Sequence, residues 1–261
     1  MFIPLHDANS LRRIRLQWVT LALIAANVAV HLVLSTGTAT TMQGAVIGLG
    51  YIPSVVFDTA VLPPGYAIVP EDLTYLTYSF LHADWLHLGG NMLFLWVFGD
   101  NVEDALGHLR FLLFYLLSAA AGALAHGLLV PESQAPLIGA SGAVAGILSA
   151  YLILHPRVKI WVLAFGRIPL RVPAWVAIAA WIGFQILMLV ILPEDEVSFA
   201  AHLGGAAAGA VLVVILRRRD QPLLDKVVVT PRAAEVALPG RAGAVPPPPS
   251  PWGRRPRSPS A

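Results

Sequence analysis

Residues 199–216 read FAAHLGGAAAGAVLVVIL, followed directly by Arg217, Arg218 and Arg219. The stretch contains no Asp, Glu, Lys or Arg. At about 1.5 Å per residue it nearly crosses a hydrocarbon core roughly 30 Å thick. Its one ionisable side chain, His202, lies among glycines and alanines, and Gly205 and Gly209 form a small-xxx-small pair. A histidine at that depth is costly, so by default it faces a cavity or a partner. The stretch therefore reads as a membrane helix with a polar task, and the class of the fold follows from it.

Five more apolar stretches read as spans, at about 16–35, 86–103, 107–129, 138–154 and 173–192. The composition agrees: 57% of the 261 residues are hydrophobic and 12% charged, against about 25% charged in an ordinary soluble domain. A soluble chain of this size has too much surface to carry so little charge. An ordinary cytosolic enzyme is excluded, as is a disordered chain. With no Cys, a disulfide-stapled secreted domain is excluded too, and a net charge of +2 gives no electrostatic basis for binding nucleic acid. The expected fold is all-α, a polytopic membrane bundle of six transmembrane helices.

Charge placement sets the expected orientation. Arg12, Arg13 and Arg15 precede the first span, and Arg110 follows the second. Arg157, Lys159, Arg167 and Arg171 lie between the fourth and fifth, and the other basic residues follow the sixth. The alternate loops carry only acids: Asp58, Glu71, Asp72, Asp84, Glu132, Glu194, Asp195 and Glu196. Both termini are therefore expected in the cytoplasm, in a setting that suits a bacterial inner membrane. The expected division is a cytoplasmic N-terminus at 1–15, a membrane domain at 16–216 with a long first external loop at about 36–85, and a tail at 217–261. That tail is Arg- and Pro-rich and is expected to be disordered. The first span is read as a retained anchor, since its apolar stretch from Leu16 to Leu34 exceeds a signal core of roughly 7–15 residues.

Polar residues recur at similar depth in three spans. The second opens His82-Ala-Asp-Trp-Leu-His87-Leu-Gly-Gly-Asn91. The fourth opens Gly139-Ala-Ser141-Gly142, and the sixth holds Ala201-His202-Leu-Gly-Gly205. Counting back from His155, Arg217 and Asp100 puts Ser141, His202 and His87 roughly 20–22 Å from the cytoplasmic ends, with Asn91 at about 14 Å. These four groups define a pocket open to the outside. The small-residue pairs Gly142/Gly146 and Gly205/Gly209 would let the fourth and sixth helices approach closely, bringing Ser141 within reach of His202. A serine beside a histidine base has the ingredients of an activated nucleophile. Asn91 lies four residues after His87 on the same helix face, and both can donate to a developing oxyanion, as can the Ser141 backbone N–H. His82 and His87, five apart, stand about 140° apart on a helix, which does not match the metal-binding face of His-Glu-x-x-His. Neither a metal nor a cofactor is expected. His31 and His126 are read as interfacial or as hydrogen-bonded between helices.

Together these motifs resemble the rhomboid family of intramembrane serine proteases. The likeness rests on His-x4-His-x3-Asn in the second span, Gly-x-Ser-Gly in the fourth and Ala-His-x2-Gly-x3-Gly in the sixth, and it covers roughly 70–216. The resemblance implies a six-span bundle and a Ser–His dyad with no third acid. Ser141 would be the nucleophile, His202 the general base, and His87 and Asn91 the oxyanion stabilisers. His82 would support them, along with Gly139, Gly142, Gly205 and Gly209. The implied reaction is hydrolysis of a peptide bond in or next to a transmembrane segment of a substrate protein. Two departures stand out. Residues 36–85 contain no Arg, whereas many relatives carry a Trp-Arg pair there. The position four after the serine, aromatic and stacked on the histidine in some relatives, is Ala145. The alternatives are a non-proteolytic rhomboid-like protein that binds membrane clients, which would keep the bundle but lose Ser or His, and a transporter. A transporter would want polar residues on both sides of the midplane.

Overall fold

A computed structural model describes residues 2–164, 166–192 and 198–224. Residues 225–261 of the expected tail and the acids Glu194, Asp195 and Glu196 lie outside the described residues. The chain opens with strand β1 (Phe2–Asp7) and helix α1 (Trp18–Ser35). The first long loop contains α2 (Ala39–Leu49), α3 (Pro53–Val56), two short 3-10 turns and α4 (Thr74–Thr77). Then come α5 (Trp85–Leu106), α6 (His108–Leu129) and α7 (Ser141–Leu154). A hairpin of β2 (Lys159–Ala164) and β3 (Ile168–Pro173) leads into α8 (Ala174–Ile191) and α9 (Phe199–Leu216). Among the described residues, α1, α6, α8 and α9 are long and apolar enough to cross a membrane, and α7 is a shorter apolar helix. The chain is a mostly helical integral membrane protein.

The all-α expectation needs one correction. The three strands form an antiparallel sheet in the order β1-β2-β3, with Pro4 opposite Val162 and Trp161 opposite Arg171. The N-terminal segment is therefore the edge strand of a sheet built on the loop between α7 and α8. Ile160 and Val162 face the core while Lys159 and Trp161 are exposed, the period-two pattern of a sheet packed on one face.

Helix ends follow from local chemistry. Asp84 caps α5, its Oδ1 accepting from the backbone N–H of Leu86 and His87, both at 2.8 Å. Ser198 caps α9 by accepting from Ala201 N at 3.1 Å. Gly107, at φ +86°, separates α5 from α6 in a conformation that a side chain would strain. Helix α1 has no side-chain cap of its own. Glu103, buried at the far end of α5, supplies one by accepting from Val19 N at 3.0 Å and Thr20 N at 2.8 Å. Its neighbour Asp104 accepts from the backbone N–H of Arg12, Arg13 and Ile14 at 3.1, 2.6 and 2.7 Å. These two carboxylates lie inside α5, which runs three residues past the expected end at 103.

The helices meet through their small residues. A Cβ on Gly205 would lie 2.0 Å from Gly142 O, and one on Gly209 would lie 2.3 Å from Gly146 O. On the other flank of α9, a Cβ on Gly204 would lie 2.3 Å from Ala125 Cβ. Helix α9 thus sits between α6 and α7 with its backbone against both. Lipid offers no hydrophobic drive for helix association, so such close packing supplies much of it.

Beneath the bundle, Asp7 Oδ2 accepts from Tyr151 Oη at 2.7 Å and from Asn101 Nδ2 at 2.9 Å. Burial raises the Asp7 carboxyl to about 6, opposed by its hydrogen bond from Tyr151. The folded chain then holds the proton more tightly than the unfolded chain. The contribution is full below about pH 4 and is lost as pH rises through about 6, a decline of at most about 3 kcal/mol. Asp7→Asn should flatten that part of the stability profile in detergent melts. An unchanged profile would mean that Asp7 is not the group that titrates.

Candidate active site

The segment before α7 is pinned by groups from two elements. Gly139 N donates to Tyr78 O at 3.0 Å, and Ala140 N donates to His82 Nε2 at 3.5 Å. Gly139 has φ +118°, and a Cβ there would lie 2.7 Å from His87 Nε2 and 3.8 Å from Asn91 Nδ2. Only glycine lets the backbone lie against that imidazole. Ser141 follows as the first residue of α7, and the helical ladder starts with Val144 N donating to Ala140 O at 3.0 Å. The Ser141 N–H therefore belongs to the helix N-terminal set that has no partner within its own helix.

His87 Nδ1 accepts from Ala83 N at 3.5 Å, so the hydrogen of the neutral ring is on Nε2, facing Gly139. Asn91 is buried and places one Nδ2 hydrogen on His87 O at 3.2 Å. Its second amide hydrogen is left for the space beside Gly139. His87, Asn91 and the start of α7 come together in this way. The depth estimate for His87 took Asp100 as the end of its helix. Because α5 continues to Leu106, contact with Gly139 replaces that estimate.

His202 is one turn before Gly205 on α9, and Ser141 immediately precedes Gly142 on α7. Backbone contact of Gly205 with Gly142 puts the first turns of α7 and α9 side by side, but among the described residues Ser141 Oγ and His202 share no hydrogen bond. His202 Nδ1 is 2.7 Å from Gln185 Oε1 of α8. The Trp181 ring lies 5.8 Å from the His202 ring at 34°, and the Phe199 ring lies 6.4 Å away at 85°. Gln185, Trp181, Phe199 and Tyr78 were not among the expected site residues. A lone glutamine in an otherwise apolar helix was the available signal for the first.

His82 needs a correction. It precedes Asp84 and the start of α5, so the 140° helical separation from His87 does not exist. The two rings instead meet edge to face, with centroids 5.0 Å apart. His82 is buried and holds Ala140 N, one residue before Ser141. His82→Ala should therefore lower the melting temperature and, if Ser141 is the nucleophile proposed below, kcat as well, since small displacements of a reacting group can cost about 10²-fold. Unchanged kinetics and melting would remove His82 from the site. His31 packs edge to face on Trp85, and His126 Nδ1 bonds Ser198 Oγ at 2.8 Å. Among the described residues, no group of three His, Cys, Asp or Glu could hold a metal ion.

A family model described as the Rhomboid domain matches residues 70–219, more than half of the chain. The chain belongs to the rhomboid family. It is 35% identical over 143 residues to Rhomboid protein 1, mitochondrial, of Saccharomyces cerevisiae, covering 53% of this chain and 40% of that protein. It is 31% identical over 158 residues to Rhomboid-related protein 2 of Mus musculus, covering 58% of this chain and 51% of the relative. The Rhomboid protease GluP of Bacillus subtilis is 43% identical over 77 residues, which is 30% of this chain and 15% of that protein. The chain thus spans about half or less of these rhomboid relatives. The chain's relatives also include Rhomboid-like protein 11, chloroplastic, of Arabidopsis thaliana, so with mitochondrial and chloroplastic proteins among them the expectation of a bacterial inner membrane is unsupported.

Proposed function

We propose that the chain is an intramembrane serine endopeptidase that hydrolyses peptide bonds in or next to transmembrane segments of other membrane proteins. The observation that supports this reading is the glycine-to-glycine contact of α7 and α9, the two helices whose first turns carry Ser141 and His202. In the proposed mechanism Ser141 Oγ attacks the substrate carbonyl while His202 takes its proton and later delivers it to the leaving amine. His87 Nε2–H, the free Asn91 amide hydrogen and the Ser141 N–H receive the oxyanion. A helical substrate must unwind to present its carbonyl, so helix-breaking or small residues near the cleavage point favour it.

The membrane domain is proposed to have six spans, with α5 and α7 joining the four long apolar helices, and with both termini cytoplasmic. Two facts support this. The basic side chains lie on one set of loops, and the sheet gathers β1 with the loop after α7 on one side.

Kinetics on one transmembrane substrate in liposomes test the assignment of roles. Loss of one oxyanion donor costs about 10²–10³ in kcat. Asn91→Ala should lower kcat by that order with KM nearly unchanged, and His87→Ala should do likewise. A rise in KM alone would make Asn91 a substrate-binding residue. Client binding with no cleavage by the unsubstituted chain would favour the non-proteolytic reading.

A further inference from the structure

Helix α8 is apolar throughout except for Gln185, which is 3% exposed. A buried amide in a membrane helix is costly and is retained where it has a partner. Its partner here is His202. Trp181 precedes Gln185 by one turn, so both project from one face of α8 onto the same imidazole. An amide oxygen carries no hydrogen, so the 2.7 Å contact requires Nδ1 of His202 to be the donor. In the Nδ1–H tautomer Nε2 keeps a lone pair, which is what a base toward a serine needs.

We propose that Gln185 is a positioning residue for His202, a neutral third member that holds the ring in the Nδ1–H tautomer, while Trp181 supplies the ring packing that Ala145 cannot. This rests on the Ser141–His202 reading. An amide suits the location better than an acid would. It accepts the same hydrogen bond without placing a second charge at membrane depth. When His202 takes the serine proton at Nε2, the ring becomes cationic and its Nδ1–H bond to Gln185 strengthens. The support is therefore greatest in the transition state. Ala145 is fully buried, leaving no aromatic ring at that position of α7, and the neighbours of His202 come from α8 and from Phe199 instead.

The test has two parts. Nitrogen NMR of histidine-labelled full chain in lipid nanodiscs, with the His202 signal assigned by its loss in His202→Ala, reads the tautomer without any change at position 185. The Nδ1–H form is expected, and a dominant Nε2–H form overturns the proposal. In the second part, Gln185→Met keeps the shape but removes the acceptor. It should lower kcat about 10–10²-fold with KM within about twofold. Gln185→Glu restores an acceptor and should recover most of that loss. Unchanged kcat in a folded Gln185→Met protein, or equal loss in folded Gln185→Met and Gln185→Glu, overturns the proposal. If Gln185→Met does not fold, the tautomer decides. Ser141→Ala separates the two levels. Activity in that variant defeats the dyad itself, whereas an inactive Ser141→Ala beside a fully active Gln185→Met defeats only the role of Gln185.

Discussion

Ser141→Ala is expected to abolish peptide-bond hydrolysis while leaving the thermal melt of the chain unchanged. The substitution removes one hydroxyl from the first residue of α7, a position where small side chains already dominate the packing. Removing the nucleophile of a serine hydrolase costs on the order of 10⁶ in kcat. His202→Ala should cost about as much. The double variant should be little worse than either single one, because nucleophile and base act as a unit. The measurement is product formation from a transmembrane substrate in liposomes, with melts run on the same preparations. Full cleavage by purified Ser141→Ala protein would remove the nucleophile assignment.

Gly205→Ala should be among the most damaging single methyl groups that can be added to the described helix contacts. Its Cβ would lie 2.0 Å from Gly142 O, 2.7 Å from the carbonyl carbon and 3.1 Å from Gly142 Cα. The obstacle is backbone, so no rotamer change relieves it, and α7 and α9 must separate. Overpacking costs typically about 1–3 kcal/mol and more where nothing can yield. Activity should fall with stability, because the proposed dyad of Ser141 and His202 sits on the two helices that this contact holds together. Gly183→Ala is the control, since a Cβ there meets nothing within 4 Å. Melting and cleavage of both variants in one detergent test this, and a Gly205→Ala protein with full stability would break the link between packing and site.

The helices were legible wherever hydrophobic runs ended in charge or in turn residues. Helix α9 was read at 199–216 and observed at Phe199–Leu216, because Ser198 caps one end and three arginines close the other. Helix α5 was cut short at 103. Asp100, Glu103 and Asp104 look like a membrane boundary in one dimension, and only the folded chain shows the last two holding α1 and residues 12–14. The sheet was not read at all. Its strands are six residues each, and β1 pairs with a partner more than 150 residues away, a distance at which pattern carries no pairing information.

Ser141, His202, His87 and Asn91 could be proposed as a site from their spacing, but the contacts around them could not. Tyr78 and His82 act on Gly139 and Ala140 through the backbone, which leaves no mark in side-chain spacing. The absence of an aromatic at Ala145 looked like a defect in the orientation of His202. The contacts of His202 with Gln185 and Trp181 come from α8, which reads in sequence only as an apolar span at about 173–192.

A hydrogen-bonded serine–histidine pair outside the proposed dyad makes one measurement especially direct. Ser198 Oγ lies 2.8 Å from His126 Nδ1, so the chain offers a serine-reactive probe two candidate sites. The full chain in liposomes is treated with a fluorophosphonate, digested, and the adduct located by mass spectrometry, beside His202→Ala and His126→Ala proteins. The predicted result is a single adduct on Ser141 that is lost in His202→Ala and kept in His126→Ala. An adduct on Ser198, or labelling of Ser141 that survives His202→Ala undiminished, would contradict the Ser141–His202 dyad.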